Sequence, residues 1–213
     1  MALFESFPSL TRFSQGWSIT EKIDGTNAQV YITHYDAEPD DDQHRRELDM
    51  LSLGEKDGYR IFAGSRTRMI TTSNDNHGFA GWVKNNSDML IDTLGPGRHF
   101  GEWWGRGIQR GYGLNEKRFS LFNSLRWKQE DLPEGLYVVP CIVNNEYLDN
   151  PGEAAQEALN GLKIMGSHAA PGFMNPEGIV MFHRASGVAF KKTFDYDEYG
   201  KWIEKQSNKE NIL

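Results

Sequence analysis

Glu21-Lys22-Ile23-Asp24-Gly25-Thr26-Asn27 is the stretch on which the reading of this chain turns. Leading into its Asp24-Gly25, Trp17, Ile19 and Ile23 fall on odd positions while Ser18, Thr20 and Lys22 fall on even ones; leading out, Asn27-Ala28-Gln29-Val30-Tyr31-Ile32 alternates in the same way. A period of two marks a half-buried strand on each side. Asp24-Gly25 between them is a turn signal, so a β-hairpin around Asp24-Gly25-Thr26 is the first expectation. Lys22 then stands at a strand end, beside a glycine that lets another group approach the backbone. That is a workable place for a covalent nucleophile.

Working outward, Tyr59 to Gly64 reads as a strand. Phe79, Trp82, Val83 and Leu90 keep helical spacing behind the cap candidates Ser73, Asn74 and Asp75, which predicts a helix ending at Gly95-Pro96-Gly97. Strands are expected from Arg98 to Trp104, Arg118 to Asn123 and Leu136 to Val143. Asn150-Pro151 sets an N-cap before a proline at the first helical position, with the helix expected to reach Gly161. Gly178 to His183 and Val188 to Phe194 complete the strands, and Tyr196, Tyr199, Trp202 and Ile203 share a helical face near the C-terminus. Strands dispersed among helices without βαβ alternation predict an α+β fold, with mostly antiparallel sheets and flanking helices.

The 213 residues, 38% hydrophobic and 25% charged, suffice for a substantial core, and a single domain over 1–213 is predicted. No apolar run is long enough to span a bilayer, and Met1-Ala2-Leu3-Phe4-Glu5 lacks the basic and apolar regions of a secretory signal, so a cytoplasmic protein without a membrane partner is expected. The one cysteine, Cys141, allows no internal disulfide and is expected to be a small buried hydrophobe in a reducing compartment. A net charge of −7 excludes holding nucleic acid by bulk positive charge. Acid crowds one segment, where Asp36, Glu38, Asp40, Asp41, Asp42, Glu47 and Asp49 face only Arg45 and Arg46, and a solvated acidic loop inserted near 36–50 is predicted. The six histidines have no metal-ligand spacing, so no zinc site is expected.

Five more stretches follow the K-x-D-G element: Ser65-Arg66, Phe100-Gly101-Glu102-Trp103-Trp104, Phe119-Ser120-Leu121-Phe122, Pro176-Glu177-Gly178-Ile179-Val180 and Phe190-Lys191-Lys192. In that order they resemble motifs Ia, III, IIIa, IV and V of the lysine-dependent nucleotidyltransferases. That superfamily comprises ATP-dependent DNA and RNA ligases and mRNA capping enzymes, and K-x-D-G is its first motif. The form E-K-x-x-G-T-N is similar to RNA ligases of the double-strand-repairing and editing type. Gly101 to Tyr112, GEWWGRGIQRGY, is similar to phage and bacterial members of the RNA ligase group.

The resemblance covers about Glu21 to Lys192. It implies the nucleotidyltransferase fold of ligase adenylation domains, which is ATP-grasp-like, and an ATP-dependent RNA ligase that uses Mg²⁺ or Mn²⁺. In that reaction Lys22 attacks the α-phosphate of ATP, expels pyrophosphate and becomes lysyl-AMP; AMP passes to a 5′-phosphate, and a 3′-hydroxyl displaces it. The implied partners are RNA ends, in a nicked duplex or an RNA–DNA hybrid, with an accessory protein supplying RNA binding. Only 21 residues follow Lys192, too few for a C-terminal OB-fold, so an adenylyltransferase domain alone is expected. The alternatives are a nick-sealing ATP-dependent DNA ligase and a nucleotide- or RNA-binding module without turnover.

An ordinary lysine is neutral about once in 2,500 molecules at pH 7, so making it nucleophilic asks for roughly 4–5 kcal/mol, and neighbouring positive charge must supply it. Lys191, Lys192, Arg66 and a divalent metal are the candidates. By the resemblance, Glu102 accepts a ribose hydroxyl, Glu177 holds the metal, and Asn27 orients phosphate or metal-bound water. Arg66 grips phosphate or ribose, Phe122 (with Phe119 as substitute) stacks on adenine, and Glu21 reads the adenine amino group. The family's last motif has two lysines one residue apart, whereas Lys191 and Lys192 are adjacent and face opposite sides of a regular strand. Either Lys191 is the first family lysine and Thr193 replaces the second, or Lys192 is the second and Phe190 replaces the first. Arg106, Arg110, Lys117 and Arg118, interleaved with Trp104 and Tyr112, form the densest basic cluster and are a candidate RNA contact.

Overall fold

A computed structural model describes residues 9–37 and 41–195. In chain order the elements begin with β1 (Gln15–Lys22), β2 (Thr26–His34), α1 (Asp42–Leu51), β3 (Gly54–Lys56), β4 (Tyr59–Ser65) and β5 (Met69–Ile70). They continue with α2 (Phe79–Asn85), α3 (Ser87–Leu94), β6 (Gly97–Gly105), β7 (Lys117–Leu121) and β8 (Leu136–Val138). The last are β9 (Cys141–Tyr147), α4 (Pro151–Met165), β10 (Gly178–His183) and β11 (Val188–Thr193). The fold is α+β with mostly antiparallel sheets, as expected, β7 and β8 being a parallel pair.

The chain divides into two compact units: one holds the described residues up to Lys22 and from Pro140 onward, the other Ile23–Val139. In the first, a four-stranded sheet of order β11-β10-β1-β9 carries α4 on one face. Ile19 and Ile179 of that face pack against Ala155, Ala158, Leu159 and Leu162 of α4. In the second, a seven-stranded sheet runs β3-β4-β2-β6-β7-β8 with β5 beside β4. Its core face, with Val30, Ile32, Ile61, Ala63, Trp103, Phe119 and Leu121, is covered by Phe79, Val83, Leu90 and Leu94 of α2 and α3. The odd and even positions of the sequence thus separate as strand parity requires.

Several expectations are corrected. β1 and β2 do not form a hairpin: β1 pairs with β10 and β9, whereas β2 pairs with β4 and β6. The Asp24-Gly25 corner passes the chain from one sheet to the other instead of folding it back. Leu136 to Val143 is likewise two strands in two sheets, interrupted at Pro140, which has no N–H for a ladder. The segment near 36–50 is not all loop, because Asp41 caps α1 by accepting from the Gln43 N–H at 3.0 Å, and Arg60 of β4 pairs with Asp49. The single helix predicted from Phe79 to Gly95-Pro96-Gly97 breaks at Asn86 into α2 and α3, the second ending at Leu94 as expected. Asp75 still serves its start, accepting the N–H groups of Ala80 and Gly81. α4 continues past Gly161 because burying Leu162 outweighs the roughly 1 kcal/mol helix cost of a glycine. Cys141 is exposed on β9, an edge strand, rather than buried. The helical face of Tyr196, Tyr199, Trp202 and Ile203 lies outside the described residues, as do Glu38 and Asp40.

Candidate active site

Lys22 is the last residue of β1, opposite Gly178 of β10, and Glu177 immediately precedes that glycine. The register therefore brings Glu177 to Lys22, and Nζ lies 2.6 Å from Glu177 Oε2 with both side chains partly shielded. Gly178 is required at this corner. Its φ is +152°, and a Cβ there would stand 2.2 Å from the Lys192 carbonyl oxygen. The Phe194 N–H closes the corner by donating to the Glu177 carbonyl at 3.0 Å.

Strand parity separates the other charged residues of this unit. Thr193 faces Gly178, so Lys191, two residues back on β11, stands on the same side of the sheet as Lys22. Lys192 is opposite Ile179, on the α4 side, where its Nζ donates to Gln156 Oε1 at 2.9 Å. Of the two adjacent lysines, Lys191 is the one on the face of Lys22. Glu21 also faces α4, away from Lys22. It is 1% exposed, and its carboxylate accepts the Ser167 hydroxyl at 2.6 Å and the N–H groups of His168 and Ala169 at 2.8 and 2.9 Å. Burial raises its pKa above the ordinary glutamate value, opposed by those three hydrogen bonds and by His168. A carboxylate held this way differs from the adenine reader that the resemblance implied, since consecutive residues of a strand face opposite sides.

The second unit holds Glu102 and the glycine turn. Asn27 and Glu102 are register partners on β2 and β6, and Asn27 Nδ2 donates to Glu102 Oε2 at 3.1 Å. The other oxygen, Oε1, accepts the Gly25 N–H at 3.1 Å. Gly25 lies so close to β6 that a Cβ would meet the Trp103 carbonyl oxygen at 2.6 Å and Trp104 Cβ at 2.7 Å. The glycine of K-x-D-G is thus fixed by close approach. Phe122 is 41% exposed, whereas Phe119 is wholly buried in the core, so only the former offers a ring face for stacking. Arg66 is exposed just beyond β4, on a tight turn in which the Ser65 N–H donates to the Arg68 carbonyl.

The basic cluster expected to grip RNA is largely engaged within this unit. Arg110 Nε donates to Asp24 Oδ2 at 3.0 Å, and the Asp24 N–H donates to the Tyr112 hydroxyl at 2.8 Å. Tyr112 and Trp104 are buried against each other edge to face. Arg118 pairs with Glu116 and lies over the Tyr137 ring, while Lys117 donates to the His77 carbonyl. Arg110 and Tyr112 therefore hold the turn after Lys22, a role that sequence reasoning missed. Its trace was the glycine-punctuated run Gly105–Gly113, in which Gln109 and Tyr112 also adopt positive φ. Ser167 and the backbone at His168 and Ala169 were missed too, and nothing in their sequence signals a partner 146 residues away.

A family model described as RNA ligase matches residues 15–193. The chain belongs to the RNA ligase family. Among solved structures it is similar to a mutant of Naegleria gruberi RNA ligase with ATP and Mn, at 19% identity over 92% of this chain and 52% of that chain, with a TM-score of 0.52. A mutant of the same ligase with AMP and Mn gives 18% identity over 92% and 53%, with a TM-score of 0.54. No curated protein matches. At this identity the structural likeness shows a shared fold, and the chain spans about half the length of these ligases. Among the described residues no group of three or more His, Cys, Asp or Glu is placed to hold a metal ion, and no helix is long and apolar enough to cross a membrane.

Proposed function

We propose that this chain is the adenylyltransferase part of an ATP-dependent RNA ligase, of the double-strand-repairing and editing type, formed by one domain over 1–213. The observation that carries the reading is the Lys22–Glu177 pair, which holds the amine of the K-x-D-G lysine at 2.6 Å from the carboxylate of the fourth motif.

Lys22 Nζ attacks the α-phosphorus of ATP; a P–N bond forms, the P–O bond to the β-phosphate breaks, and pyrophosphate leaves with that electron pair. The AMP then moves to a 5′-phosphate end of RNA, and a 3′-hydroxyl displaces it to seal the strand. Glu177 aims Nζ and also occupies it, so the amine is free to attack only when that carboxylate is otherwise engaged. A Mg²⁺ or Mn²⁺ ion, which takes oxygen ligands and keeps waters, suits a single half-shielded carboxylate, and bound at Glu177 it would supply positive charge that draws the triphosphate. Lys191 adds fixed positive charge on the face of Lys22. In the other unit Glu102, oriented by Gly25 and Asn27, accepts a ribose hydroxyl, Phe122 stacks on adenine, and Arg66 contacts phosphate or ribose.

The reading extends to RNA ends in a nicked duplex or RNA–DNA hybrid as substrate, an accessory RNA-binding protein, and a cytoplasmic setting suited to a lone thiol. Incubation with α-labelled ATP and Mg²⁺ is expected to label the wild type covalently and leave Lys22→Ala unlabelled; an unlabelled wild type overturns the proposal. Comparing RNA with DNA 5′-phosphate ends tests the strand preference, and equal sealing of DNA would argue for a DNA ligase.

A further inference from the structure

We infer that Glu21 is a positioning residue, which acts through the loop leading to Glu177 rather than on nucleotide; the inference rests on the function proposed above. The chain of contacts stays within one unit. Glu21 Oε1 accepts the Ser167 hydroxyl, and Oε2 accepts the N–H groups of His168 and Ala169. Ser167 Oγ in turn accepts the Ala170 N–H at 3.0 Å. The Ser167 N–H donates to the Phe173 carbonyl at 2.8 Å, and the Phe173 N–H to the Ala170 carbonyl at 3.0 Å. Four residues after Phe173 the chain reaches Glu177, whose carboxylate meets Lys22.

One strand therefore works through both its faces. Residue 22 presents the amine on one side; residue 21, on the other, ties down the start of the loop that delivers the amine's carboxylate partner. Two observations make this more than ordinary packing. The carboxylate is buried with three donors converging on it although burial raises its pKa, and a glutamine or leucine in its place would leave one or more of those donors unpaired. The donors, moreover, are a serine hydroxyl and two consecutive backbone amides, so the contact specifies the conformation of the loop rather than merely filling space.

The test uses the full chain. Glu21→Gln keeps the shape but accepts fewer of the three donors, and Ser167→Ala removes one donor while leaving the carboxylate. For self-adenylation with α-labelled ATP and Mg²⁺, each variant is expected to lose on the order of 10- to 100-fold in kcat with little change in KM for ATP. The double variant should lose less than the product of the two single losses, because both single variants break the Glu21–Ser167 contact. By amide hydrogen exchange, His168 and Ala169 should lose protection in Glu21→Gln, and so should Phe194, whose N–H bonds the Glu177 carbonyl.

An unchanged kcat in folded Glu21→Gln overturns the inference. So does a raised KM for ATP at constant kcat, or an altered preference between ATP and inosine triphosphate, since either would mean that Glu21 reads the base. Should the wild type take no label, the ligase reading fails separately. The exchange experiment then decides the inference, and retained protection at Phe194 in Glu21→Gln overturns it.

Discussion

Tyr112→Phe removes a single oxygen and isolates the device that holds the turn after Lys22. The ring keeps its edge-to-face contact with Trp104, with centroids 4.9 Å apart at 78°, so packing is unchanged. What is lost is the hydroxyl that accepts the Asp24 N–H at 2.8 Å. An orphaned buried donor costs about 1–3 kcal/mol. Tyr112 is 2% exposed but the Asp24 side chain is 27% exposed, so water partly reaches the freed N–H and the cost falls to about 1–2 kcal/mol. In a chain of this size 1 kcal/mol moves Tm by about 2–4 °C, which gives a fall of about 2–8 °C. Thermal unfolding by calorimetry reads it, and hydrogen exchange at the Asp24 amide shows whether the loss is local. A Tm within about 1 °C of the wild type, with Asp24 exchange unchanged, would refute the claim that Tyr112 holds this turn. A double-mutant cycle between Asp24→Asn and Arg110→Ala should add a coupling of about 0.5–1.5 kcal/mol, modest because both side chains keep some contact with water.

Strand parity predicts that Lys191→Ala lowers the self-adenylation rate by tenfold or more, of order 1.4 kcal/mol in the barrier, while Lys192→Ala leaves it nearly unchanged; equal losses would contradict the assignment of Lys191 to the face of Lys22. Phe119→Ala should destabilise the fold by about 3–5 kcal/mol as a core cavity, whereas Phe122→Ala, at an exposed ring, should leave Tm almost unmoved and raise KM for ATP. The pH dependence of stability should carry the signature of Glu21. Because its folded-state pKa lies above the ordinary 4.5, the folded chain binds that proton more tightly than the unfolded chain. Its contribution is therefore full below 4.5 and is lost as pH rises through the raised value. The stability difference between wild type and Glu21→Gln, followed by denaturant titration from acid to neutral pH, should shift against the wild type over that window; a difference independent of pH would show that Glu21 titrates normally.

The candidate site residues were legible because they are local words: a lysine two residues before Asp-Gly, a glutamate inside a run of aromatic strand formers, a glutamate before a glycine that opens a strand. Alternation also told which residues of one strand share a face, so that Lys191 and Lys192 had to diverge. It could not tell which side of the sheet each would meet, since that depends on α4 packing against Ile19 and Ile179, more than a hundred residues from one another. The hairpin expectation failed for the same reason. Asp24-Gly25 is a turn in either case, but whether β1 pairs with β2 or with β10 is decided by which pairing buries more apolar surface, a long-range competition that no window of sequence contains.

Residue types, spacing and family were thus properties of the sequence by itself. The carboxylate at 2.6 Å from Lys22, the fastening of Glu21 to a loop 146 residues away and the engagement of Arg110 and Tyr112 with Asp24 were decided by tertiary structure. The physical reason is that a hydrogen bond needs its partners within about 3 Å, and only the folded register of strands brings residues so distant in the chain to that separation.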